Sequence, residues 1–138
     1  MQVIPVVDLF AGPGGLSHGF SSFSSKELSF QIGLSIEKDE VAYRTLHLRA
    51  FLRQFKKVPE DYYQYIKGNS EITREYLKSK YPSEWRKADI EARQWELGKQ
   101  LFGEVHNTIR AAVREAPIVD GVPFWVLLGG PLLMCTQI

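Results

Sequence analysis

Cysteine is almost missing from this chain. Cys135 stands alone, which excludes an intramolecular disulfide and fits a reducing compartment. Long apolar runs are missing too. No stretch approaches the roughly 18 consecutive apolar residues that a membrane-spanning helix needs, and the N-terminus lacks the charged region and apolar core of a secretion signal. No membrane association is therefore expected, and the expected location is cytoplasmic. Nor is there an excess of either charge, with 17 Lys and Arg against 16 Asp and Glu. Composition thus makes no polyelectrolyte case for nucleic acid, and any such case must rest on local patches. Internal repeats and low-complexity tracts are absent, and no metal site is expected. What remains is 138 residues, 44% hydrophobic, which is one domain's worth of sequence.

The chain is organised around its first twenty residues. Val3 to Leu9 is a short β-branched run suited to a buried strand. Gly12, Gly14 and Gly15 then let the backbone turn sharply with no Cβ in the way, so a ligand could approach the main chain closely. Leu16 and Phe20, four apart, share a helix face, and the start of that helix leaves free N–H groups over the turn. Strand, loop and helix in this order make a receptor for an anionic group.

The string Asp8-Leu9-Phe10-Ala11-Gly12-Pro13-Gly14-Gly15-Leu16-Ser17, followed after one residue by Gly19-Phe20, resembles the cofactor-binding first motif of the DNA cytosine-5 methyltransferases. These enzymes use S-adenosyl-L-methionine. The resemblance implies a cofactor role for Asp8, Phe10, Ala11, Gly12, Gly14, Gly15 and Leu16. The dinucleotide fingerprint of nicotinamide enzymes fits less well, because Ser17 stands where its third glycine or alanine belongs.

A second strand is predicted where Phe30, Ile32, Leu34 and Ile36 alternate with Ser29, Gln31, Gly33 and Ser35, ending at Glu37-Lys38-Asp39. In open α/β sheets ligands sit beyond the carboxyl ends of strands, and an acid about 20 residues after the glycine loop commonly takes ribose hydroxyls. Glu37 lies 22 residues after Gly15. The resemblance implies that Glu37, with Lys38 beside it, receives the cofactor's ribose; the alternative for such an acid is a helix N-terminus, which better describes Asp39 or Glu40. From Asp39, an N-cap, the pattern turns helical, and Leu48, Phe51, Leu52 and Phe55 form the expected buried stripe. Arg44, Arg49, Arg53, Lys56 and Lys57 then read as a solvated face or a phosphate-facing edge.

Residues 57–117 read as a helical insertion. Val58-Pro59 breaks the preceding helix, Glu60 to Ile66 forms a short aromatic one, and Ile72 to Leu77 another. Trp85, Ala88, Ala92, Trp95 and Phe102 keep one face of a long amphipathic segment, and Val105, Ile109, Ala112, Val113 and Ala116 face inward from a last helix that stops before Pro117. The family's third motif supplies an acid to the adenine edge. Its nearest match is Gly68-Asn69-Ser70-Glu71, with Asn69 in place of the acid or the acid displaced to Glu71.

Pro123 to Leu128 reads as a final buried strand running into Gly129-Gly130-Pro131. In the family the next residues carry the cysteine whose thiolate attacks C6 of a flipped cytosine. Here Leu133 holds that place and Cys135 comes two residues later, so no catalytic residue stands at the matching position; the resemblance implies only that Pro131 borders the cofactor. The resulting expectation is an α/β chain, a partial Rossmann-like S-adenosylmethionine-dependent methyltransferase fold with strands near 3–9, 30–36 and 123–129 and an all-helical insertion. Residues 1–138 would form the amino-terminal part of a catalytic domain of the restriction-modification kind, acting on double-stranded DNA and interrupted at the catalytic loop. The alternatives are half of a split enzyme with a complementing polypeptide, or an inert remnant. A thin sheet with an exposed edge implies marginal stability and self-association.

Overall fold

The computed structural model describes residues 1–98 and 102–129. Strand β1 (Gln2–Leu9) leads through α1 (Gly15–Ser22) to β2 (Leu28–Glu37), which pairs with it in parallel. Four helices fill the next crossover: α2 (Glu40–Arg53), α3 (Glu60–Ile66), α4 (Arg74–Lys80) and α5 (Pro82–Glu91). They deliver β3 (Ala92–Gln94) to the outer side of β2. Helix α6 (Phe102–Ala112) and a small antiparallel hairpin, β4 (Ile118–Val119) with β5 (Val122–Pro123), then lead to β6 (Val126–Gly129) on the far side of β1. The main sheet is parallel throughout, in the order β3-β2-β1-β6. The architecture is mixed α/β and compatible with a partial Rossmann-like methyltransferase fold. The strands reached from β1 lie on opposite sides of it, so a crevice opens beyond its carboxyl end.

The sheet is packed on both faces, and a bulge decides which residue faces where. Val6 pairs with Ile32 but Val7 pairs with Leu34, so the register slips at Gly33. Simple alternation predicts Phe30, Ile32, Leu34 and Ile36 on one face. Instead Ile32 joins Val6, Phe20 and Leu128 on the α1 side, while Leu34 and Ile36 join Val7, Ile109 and Val113 on the α6 side. An inserted residue reverses the facing of everything after it, and periodicity cannot report this. Gly33 is the residue that permits it, because a Cβ there would lie 2.9 Å from the Ala112 carbonyl oxygen and 3.2 Å from the Ala112 Cβ. Gly33→Ala is therefore expected to destabilise by about 1–3 kcal/mol, as overpacked sites do. A urea midpoint unchanged from the parent would refute this.

Helix α2 is capped as its sequence predicts, with Asp39 Oδ1 accepting the Ala42 N–H at 2.8 Å. Its buried face overlaps the predicted one only in part, through Phe51. Leu46, His47, Ala50 and Phe51 are buried, with Tyr43 against them, whereas Leu48, Leu52 and Phe55 are only half-buried. Both stripes have helical spacing. The packed one is selected by Trp85 and Ala88 of α5, Leu77 of α4 and Ala92 of β3, which meet Leu46, Ala50 and Phe51 in one cluster. The rotation also removes Arg53 from the basic face: it is paired with Glu91 at the end of α5.

The crossover is not all helical. The amphipathic run expected to continue through Trp95 ends at Glu91, and Ala92–Gln94 adds a strand alongside Ser35–Glu37. Ala, Arg and Gln are good helix formers, but the open edge of β2 and burial of Ala92 under α2 outweigh that preference. Phe102 does not share the face of Trp85 and opens α6 largely exposed. The last strand begins at Val126, because Val122–Pro123 belongs to the hairpin. Among the described residues no helix is long and apolar enough to cross a membrane.

Candidate functional site

The carboxyl ends of β1, β2 and β3 converge on a pocket of about 210 Å³ lined by Phe10, Ile36, Glu37, Lys38, Trp95, Glu96 and Leu97. Each strand contributes residues at or just beyond its carboxyl end. After β1, Phe10 takes a left-handed backbone (φ 58°) that costs a side-chain-bearing residue about 1–3 kcal/mol. The next two amides hold it there. Ala11 donates to the Ile36 carbonyl at 2.9 Å, and Gly12 donates to Glu37 Oε2 at 2.8 Å. The Phe10 ring is left 43% exposed at the pocket's edge.

Glu37 does more than end β2. Its Oε1 accepts the backbone N–H of Lys38 at 2.9 Å and of Asp39 at 2.8 Å, while Oε2 holds the glycine loop. A carboxylate offers about four acceptor sites. Three are occupied by main-chain donors, which fixes the carboxylate and leaves one site for an outside hydroxyl. Lys38 reaches Glu96 at 3.7 Å across the ends of β2 and β3, an exposed pair of little energetic weight.

The loop itself is built on two left-handed glycines, Gly12 (φ 56°) and Gly14 (φ 81°), before α1 begins at Gly15. Leu46 and Arg49 of α2 press against Gly14: a Cβ there would lie 2.7 Å from Leu46 Cδ1 and 3.7 Å from Arg49 Cδ. Asp8 lies beneath this turn, 1% exposed, and burial pushes its carboxyl above the usual range against the pull of the Ser17 hydroxyl and the Arg53 charge. It is buried away from the pocket and does not line it.

The remaining sequence-nominated residues are dispersed. Ala11 packs on the α2 cluster. Leu16 lines a separate apolar groove with Phe20, Phe23 and Phe30. Asn69 sits in the α3–α4 turn, where its Oδ1 accepts the Glu71 N–H at 3.0 Å, and it borders a groove shared with Arg44 and Arg74. No strand ends there. Pro131 and Cys135 lie outside the described residues. Sequence reasoning missed Trp95, Glu96 and Leu97, because β3 was hidden inside an apparently helical pattern; Gly98, just beyond them, was the one local signal. Among the described residues no group of three or more His, Cys, Asp or Glu is placed to hold a metal.

No family model matches the chain, and no solved structure matches it. Among curated proteins, the type II methyltransferase M.Bpa9945I of Bacillus paralicheniformis is 32% identical over 110 residues, a span covering 74% of this chain and 22% of that protein. The chain thus spans about a fifth of the length of the curated relative it matches. The parallel β3-β2-β1-β6 sheet, with the glycine turn at its switch point, is compatible with part of the fold of such a methyltransferase.

Proposed function

We propose that this chain carries the S-adenosyl-L-methionine-binding part of a methyltransferase that acts on C5 of cytosine in double-stranded DNA, within a restriction-modification system. The observation that carries the reading is the clasp between Glu37 and the Gly12 amide beside the exposed ring of Phe10. It brings the acid and the aromatic residue of two separate motifs to one pocket. The donor set suits the cofactor: Phe10 offers a face to adenine, Glu37 retains an acceptor site for a ribose hydroxyl, and the Gly12–Gly15 backbone admits close approach. Glu96 lines the same pocket as Phe10 and Glu37 and is our candidate for the acid of the third motif, whereas Asn69 borders a separate groove. Asp8 and Lys38 act through the loop and the rim respectively.

The bound cofactor would supply an electrophilic methyl group. This chain's described residues bind and orient it; the chemistry on the base, which the resemblance puts after Pro131, falls on residues outside those described.

Calorimetric titration of the full chain with S-adenosylmethionine tests the reading. Binding is expected, and Glu37→Ala should weaken it about 10–100-fold, the worth of a hydrogen bond to a charged group together with a released loop. No heat from folded parent protein, or an unchanged affinity in Glu37→Ala, would overturn the assignment.

A further inference from the structure

Away from the pocket, a buried histidine joins three helices through both of its ring nitrogens. His47 of α2 is 1% exposed. Its Nε2 lies 2.7 Å from Asp89 Oδ1 of α5, and its Nδ1 lies 3.2 Å from Arg74 Nη2 of α4. A guanidinium can only donate. Nδ1 must therefore be the acceptor, and the ring hydrogen sits on Nε2, donated to Asp89. The imidazole packs against Trp85 at 4.6 Å between ring centroids, and the Arg74 guanidinium covers the same indole at 5.0 Å. Arg74 Nη1 also donates to the Arg44 carbonyl at 3.3 Å.

One added proton undoes this arrangement. It can go only to Nδ1, where it would face the Arg74 donor, so an acceptor becomes a second donor and two cations meet at a buried ring. We propose that neutral His47 is a proton-sensitive latch fastening α4 and α5 to α2, and that its protonation releases them. The segment it fastens continues directly into β3 and the Trp95–Leu97 wall of the pocket, while its neighbour Leu46 presses on Gly14. The latch itself does not depend on what the pocket binds.

The charged and titratable groups around the ring give the sign. Tyr43 and Arg44 come from α2, Arg74 and Lys78 from α4, and Asp89 from α5. Burial holds the imidazole below its ordinary value, with Arg74 and Lys78 acting in the same direction and Asp89 against. The open state therefore binds the proton first. Above about pH 6.5 the latch is indifferent to pH; below it the open fraction rises about tenfold per pH unit, until the pH passes the lowered value of the closed state.

Hydrogen exchange and histidine-ring NMR on the full chain, from pH 8 to pH 4.5, test this. His47 should titrate below the ordinary histidine value of about 6.5, and amides of α4 and α5 should lose protection about tenfold per unit below about pH 6.5 while β1 and β2 keep theirs. Arg74→Met removes the conflicting donor, so the His47 titration should move up and the α4–α5 slope should flatten. His47→Gln retains a donor and an acceptor without titrating, and should flatten the slope as well. If His47→Gln does not fold, Arg74→Met decides alone. Simultaneous loss of protection in β1 and β2 in the parent, or a slope unchanged in Arg74→Met, overturns the proposal.

Discussion

Glu91→Ala is expected to lower the stability of the chain by about 3–5 kcal/mol, the cost of stranding one member of a largely buried ion pair. Glu91 Oε1 accepts from both Nε (3.0 Å) and Nη2 of Arg53, and Oε2 accepts from Gln54 Nε2 at 3.2 Å. Side-chain exposure is 15% for Arg53 and 9% for Glu91, so the guanidinium left behind would have little water to turn to. Replacing both residues by apolar side chains of similar volume should instead be nearly neutral. Urea denaturation of the two variants separates these outcomes, and a single-variant loss below about 1 kcal/mol, the range of exposed pairs, would refute the account. The pair ties the end of α2 to the end of α5, immediately before β3. Its loss should therefore also loosen the wall carrying Trp95 and Glu96.

The second large effect is expected at Gly14. An alanine there must adopt φ near 81° and place its Cβ 2.7 Å from Leu46 Cδ1. The left-handed backbone costs about 1–2 kcal/mol and the overpacking about 1–3 kcal/mol, for a total loss of about 2–5 kcal/mol. Gly12→Ala provides the comparison. Gly12 has φ 56° but open space where a Cβ would stand, so only the backbone cost applies. Thermal or chemical denaturation giving equal losses at the two glycines would show that the Leu46 contact is not what restricts Gly14.

The candidate site was partly legible before any coordinates. Phe10, the glycine turn and Glu37 are signalled locally, by an apolar run that ends in glycines and by an acid closing the next strand. The structure adds how they meet, through the Glu37 carboxylate on the Gly12 amide, 25 residues apart in sequence. Asp8 and Leu16 belong to the same string, yet one lies beneath the loop and the other borders a different groove. Neighbours in a motif need not share a surface, because successive strand residues point to opposite faces and helix residues turn by about 100° each.

The strand–turn–helix opening, the second strand and its terminal acids, the Asp39 cap and the run that becomes β6 are written in local sequence. These are set by β-branched runs, by glycines at positive φ and by side chains bonding their own backbone a few residues on. The Gly33 bulge, the full buried face of α2, the strand Ala92–Gln94 and the burial of Arg53 with Glu91 were settled by long-range packing. In each case two local solutions of similar cost compete: either face of the strand, either stripe of the helix, helix or strand, solvent or partner. The choice is made by groups far away in sequence, such as Ala112 against Gly33 and Trp85 against Phe51. Their packing and pairing energies exceed the local preferences, and they exist only once the chain has folded.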